Sequence, residues 1–138
     1  MDKEQETTTQ DTQDTSRWFV DVAWYRQNNR SFLLLAQNYF CAKCRKKLGQ
    51  DISAVPPRKL LNTIKGCCAD TPGFITQKLP IMENVFRLFL ANGNQRLSIE
   101  EIRQQLVERL GDTYRTSPEI LSLLLAKDRY YGLTQAKE

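Results

Sequence analysis

The sequence predicts a mainly α fold with a small β part. Apolar residues recur at helical spacing through most of the second half of the chain. Capping serines or prolines stand at the start of several of these runs, and Asn or Gly follows them. The strand-like stretches are few and short. At 138 residues the chain is long enough for one domain, or for two small ones sharing a surface.

Residues 1–16 are mostly Thr, Gln, Asp and Glu, a composition that cannot bury enough surface to offset its ordering entropy, so an acidic disordered tail is expected. A first module is expected over 17–79. Trp18, Phe19, Val22 and Tyr25 fit a short helix through Arg26, which Asn28-Asn29 breaks. Ser31 is placed to cap a second helix from Phe32 to about Tyr39, with a buried strand as the alternative for that run. Pro56-Pro57 then opens a helix from Arg58 to about Cys68. Its residues Leu60, Leu61, Ile64, Cys67 and Cys68 share one face. Of the aromatic residues, Trp18, Phe19 and Phe32 are expected in the core.

A second module is expected over 80–134, followed by a tail at 135–138. Pro80 opens a helix with Ile81, Val85, Leu88 and Phe89 on one face, and Asn92-Gly93-Asn94 stops it. Ser98 and Glu101 have capping-box spacing at the start of a helix to about Leu110, with Ile102, Leu106 and Leu110 inward. Ser117-Pro118 opens a third helix to about Asp128, with Ile120, Leu121, Leu124 and Leu125 apolar. Arg129-Tyr130-Tyr131-Gly132-Leu133 reads as a short strand.

The four cysteines, Cys41, Cys44, Cys67 and Cys68, fall in one stretch. An aromatic, then Cys41-Ala42-Lys43-Cys44, then basic residues and Gly49 has the form of a metal-binding knuckle: two thiolates three positions apart can turn toward one ion while backbone N–H groups point at the sulfurs. Three readings stand side by side. All four cysteines hold a structural zinc, with a three-cysteine site completed by Asp70 or water as a variant; they hold an iron–sulfur cluster; or they are buried thiols that complete an apolar stripe. Neighbours on a helix point about 100° apart, so Cys67 and Cys68 can share one ion only if the helix ends or unwinds between Gly66 and Pro72. The chain has no histidine, which leaves cysteine and carboxylate as the ligands available.

Charge is segregated. One lysine faces five acids in 1–16, eleven Lys/Arg face three acids in 17–80, and 81–138 holds eight of each. A concentrated positive field attracts polyanions. The candidate nucleic-acid contacts are Arg26, Arg30, Lys43, Arg45, Lys46, Lys47, Arg58, Lys59 and Arg115, and they are interleaved with aromatics that suit unpaired bases. A solvated basic face is the simpler reading of the same charges.

The order helix, short link at Arg96-Leu97, helix, turn, helix, Tyr-Tyr-Gly-Leu strand resembles a small winged-helix domain, such as that of the delta subunit of bacterial RNA polymerase. The cysteine knuckle is similar to one half of a zinc ribbon, without the second Cys-x-x-Cys. The resemblance implies an N-terminal metal-stapled helical module joined to a C-terminal winged helix, whose third helix enters a DNA groove in that family. Here that helix carries Glu119 and Asp128 against Lys127, which suits phosphate poorly, so a protein-binding or purely structural winged helix stands as an equal reading, with Arg115, Thr116 and Ser117 at its entry still placed to touch phosphates.

No phosphate-binding Gly-rich loop appears, and no Ser or Cys has an evident base partner, so the chain is not expected to be an enzyme. The N-terminus lacks the apolar core of a secretory signal, and no apolar run reaches about 18 residues, so a cytoplasmic protein with no membrane association is expected. The function expected is a non-catalytic nucleic-acid-binding adaptor, transcription-associated, with a structural zinc. DNA or RNA would be its partner, with a protein docked on the winged helix and no small-molecule substrate. The alternatives are a protein–protein interaction subunit whose basic face meets an acidic partner, and an iron–sulfur redox or iron-sensing regulator.

Overall fold

The computed structural model describes residues 16–48, 55–71, 73–111, 113–114 and 116–136. The expected acidic tail at 1–16 therefore lies outside the described residues, apart from Ser16. Described elements run in the order β1 (Arg17–Val20), α1 (Val22–Gln27), α2 (Phe32–Ala36), a 3-10 turn (Gln37–Tyr39), α3 (Ala42–Leu48), α4 (Pro57–Gly66), a 3-10 turn (Cys68–Asp70), α5 (Ile81–Ala91), β2 (Leu97–Ser98), α6 (Ile99–Leu110), α7 (Pro118–Lys127) and β3 (Leu133–Gln135). The fold is mainly α with a three-stranded antiparallel sheet in the order β2-β1-β3.

Several helix starts follow from local chemistry. The Ser31 hydroxyl accepts from the Leu34 N–H, the Ser117 hydroxyl accepts from the Ile120 N–H, and both halves of the Ser98/Glu101 capping box are made. Proline stands at the start of α4 and α7, where its missing N–H costs nothing.

Residues 17–20 differ from expectation. They form the central strand β1 rather than the start of a helix, and Asp21 caps α1 only from Val22 onward. Trp18 and Val20 point inward at the period of two that a strand requires, and Trp18 pairs with both Leu97 and Gln135. The Asn94 side-chain amide extends the pairing: Val20 N–H donates to its Oδ1 at 2.9 Å, and its Nδ2 donates to the Val20 carbonyl at 2.9 Å. Sheet and core both cross the boundary expected at residue 80. One cluster of buried side chains includes Trp18, Phe32, Leu60, Phe86, Leu106 and Leu133.

The last strand is displaced. Residues 129–132 form a turn, and β3 begins at Leu133. The Asp128 carboxylate organises that turn by accepting from the N–H groups of Tyr130, Tyr131 and Leu133. Gly132 adopts φ +74°, a region open to glycine. Among the apolar residues expected on α7, Leu121 and Leu125 are buried while Ile120 is exposed. Trp18 and Phe32 are buried as expected; Phe19 is half-buried under the Arg96 guanidinium, 5.1 Å from its ring centre.

Candidate metal centre

The four cysteines come together. Their Sγ atoms all lie within 4.8 Å of one another, with Cys41 3.5 Å from Cys68 and 3.6 Å from Cys67. Cys44 and Cys68 are buried; Cys41 and Cys67 are half-buried. None is in a disulfide.

Two breaks in helical geometry build this cluster. Cys41 sits just before α3 and its carbonyl accepts from the Arg45 N–H, so Cys41 and Cys44 bracket the first turn. The second break resolves the difficulty posed by adjacent cysteines. The helix expected to run to Cys68 ends at Gly66, and Cys67 takes φ −139° and ψ −64° outside helical geometry. The chain then re-enters a tight 3-10 turn at Cys68. The stripe Leu60, Leu61, Ile64 still packs inward, while the two following sulfurs are redirected to one point. The segments around both cysteine pairs are helices and 3-10 turns, unlike the strands of a zinc ribbon.

Neighbouring residues hold the centre in place. Phe40 is buried beside Cys41, and the Cys41 N–H donates to Cys68 Sγ at 3.2 Å. Arg87 on α5 clamps the segment that follows the second pair: it donates to the Phe74 carbonyl at 2.8 Å, pairs with Glu83 at 2.8 Å, and lies 4.7 Å from the centre of the Tyr39 ring. Asn84, fully buried, donates to the Thr76 carbonyl. Neither Arg87 nor Asn84 was legible as a support, because their partners come from segments without periodicity.

The thiols perturb one another. A hydrogen bond from the Cys44 backbone N–H, aided by the neighbouring thiols, lowers Cys41 to about 6. Hydrogen bonding with Cys44 and Cys41 pushes Cys67 up to about 11, and burial raises Cys44 and Cys68. Without a cation, four thiolates cannot coexist in this space; a divalent ion relieves that conflict.

The donor set fits a single ion. Four sulfurs around one tetrahedral centre at about 2.3 Å sit about 3.8 Å apart; the Cys41–Cys68 and Cys41–Cys67 separations of 3.5 and 3.6 Å are close to this, and all four sulfurs lie within 4.8 Å of one another. In an iron–sulfur cluster each terminal thiolate radiates from its own iron, which spreads the sulfurs further. Asp70, the alternative ligand, is exposed and does not belong to the group.

The candidate cationic contacts are dispersed over α1, α3 and α4. Arg26, Lys43, Arg45, Lys46, Arg58 and Lys59 are exposed. Arg45 and Lys46 line one shallow cleft with Phe40 and Ala42, and Arg26 lines another of about 400 Å³ with Pro56 and Pro57. Arg30 is exposed and lines the same cleft as Arg26, but its guanidinium is already held. Its guanidinium lies over the Tyr130 ring at 4.5 Å and donates to the Tyr130 carbonyl at 3.1 Å. The side chain of Lys47 and the whole of Arg115 lie outside the described residues.

Comparison with protein families, with curated proteins and with solved structures gives no match to this chain. Among the described residues, no helix is long and apolar enough to cross a membrane.

Proposed function

We propose that the chain is a small zinc-stapled adaptor that binds nucleic acid through the cations of α3 and the start of α4. The observation that carries this reading is the meeting of four sulfurs at single-ion spacing, directly beneath a helix whose outer face is cationic. The zinc fixes α3 against the 3-10 turn at Cys68–Asp70, and so holds Lys43, Arg45 and Lys46 at set positions. Four cysteines gathered at single-ion spacing are a form of structural zinc site, which favours zinc for this reading; tetrahedral sulfur also suits iron, and metal analysis separates the two. The order α5-β2-α6-α7-β3 supports the winged-helix reading, with β1 as an added central strand.

Filter binding of mixed-sequence single- and double-stranded DNA and RNA tests the function. The affinity should fall steeply between about 50 and 200 mM salt. Charge reversal at Lys43, Arg45 and Lys46 together should abolish binding without changing helicity. Failure of every nucleic acid to bind at low salt would remove this function and leave the metal centre standing.

A further inference from the structure

The outer face of α7 has no partner among the described residues. Ile120 is 55% exposed and Leu123 53% exposed, although this helix packs Leu121 and Leu125 fully into the core. At 100° per residue Leu123 stands at the middle of the exposed arc, with Glu119 and Lys127 one turn to either side and Ile120 and Ala126 beside them. Isolated exposed apolar residues are ordinary, but two adjacent ones at i and i+3 on an ordered helix form a stripe.

The charge pattern of that stripe selects its occupant. One acid and one base give the arc no net charge, so it does not suit nucleic acid. They are also placed symmetrically, each four residues from Leu123. When two copies of α7 pack antiparallel about a two-fold axis through Leu123, Glu119 of each copy comes level with Lys127 of the other. Leu123 meets Leu123, and Ile120, to one side of it, comes beside the aliphatic stem of Lys127 of the other copy. Antiparallel packing also sets the helix dipoles against each other favourably. A self-complementary patch of this kind is what a two-fold interface requires.

We infer that the exposed face of α7 is a docking surface for a second copy of this chain, joined antiparallel through Leu123 and two Glu119–Lys127 pairs. With ten residues, α7 is about 15 Å long, so the contact is smaller than a standard stable interface and the dimer is weak and concentration-dependent. The inference is independent of the zinc and nucleic-acid reading.

Sedimentation equilibrium of the full chain at about 150 mM salt, from roughly 10 µM to 1 mM, tests it. The mass should rise from 16.0 kDa toward twice that value. Leu123→Arg should remain monomeric throughout with an unchanged melting curve, since Leu123 is exposed. Glu119→Lys should weaken the dimer about tenfold or more, and adding Lys127→Glu to it should restore the affinity to within about threefold. A wild-type chain that stays monomeric over the whole range overturns the proposal. So does a dimer indifferent to Leu123→Arg, or a charge-swapped double variant no tighter than the single one.

Discussion

The backbone N–H of Cys41 donates to the sulfur of Cys68 at 3.2 Å, while the two Sγ atoms lie 3.5 Å apart. The two residues therefore meet twice, once through the peptide and once through the thiols. An N–H aimed at sulfur stabilises thiolate and orients it toward a cation. Replacing Cys68 with Ser should remove bound metal and lower the melting temperature by 10 °C or more, on the scale of about 2–4 °C per kcal/mol for a chain of this size. Metal content and thermal melts of the purified variant check this. A variant that retains a full equivalent of metal with an unchanged melt would exclude Cys68 as a ligand.

Asp128 closes α7 and builds the turn into β3. Its carboxylate accepts three backbone N–H groups, from Tyr130, Tyr131 and Leu133. Asp128→Ala strands all three donors in a partly buried turn and should cost about 2–4 kcal/mol. Urea denaturation measures the loss; a change below about 0.5 kcal/mol would show that water replaces the carboxylate freely.

Gly132 combines φ +74° with close packing. A Cβ there would sit 2.9 Å from Tyr25 Cε1 and 3.1 Å from Trp24 Cε3. Gly132→Ala adds overpacking to left-handed strain and should destabilise by about 2–4 kcal/mol. The same denaturation experiment reads it out, and a neutral result would contradict the packing of α1 against this turn.

The Tyr25 hydroxyl donates to the Tyr131 carbonyl at 2.6 Å. Burial, with the Asp128 carboxylate adding to it, raises Tyr25 well above the ordinary tyrosine value, and burial pushes Tyr131 up to about 12. Above about pH 10 the unfolded chain ionises these hydroxyls while the folded chain keeps their protons. The folded state then binds more protons, so the contribution of these two tyrosines to stability is constant below that pH and falls as pH rises. Tyr25→Phe should be less stable than wild type by about 1–2 kcal/mol at pH 8, and the gap should narrow by pH 11. A gap independent of pH would contradict this.

Much of the second half of the fold was readable locally. Pro80, the Ser98/Glu101 box and Ser117-Pro118 each mark a helix start that the structure keeps, because caps and prolines act within one turn. The strand at Arg17–Val20 was not readable. Its partners are Leu97, Ser98 and residues 133–135, far along the chain, and four residues fit a helical face as well as a strand. That the four cysteines could gather at one point was legible in Cys41-x-x-Cys44 and in the Gly66–Pro72 interval around Cys67 and Cys68. The conformation at Cys67 that unites the sulfurs was legible only as a requirement. The exposure of Ile120 was hidden too, since apolar spacing does not distinguish a face turned to the core from one turned outward.

On the function proposed above, one ion bound by four thiolates gives the cationic region its shape. Zinc and iron content of protein purified without oxygen, followed by X-ray absorption at the metal edge, tests it most directly. One zinc per chain with four sulfur neighbours at about 2.3 Å is expected. Protein free of metal that melts cooperatively at the same temperature, or a spectrum with iron–iron scattering, would contradict it.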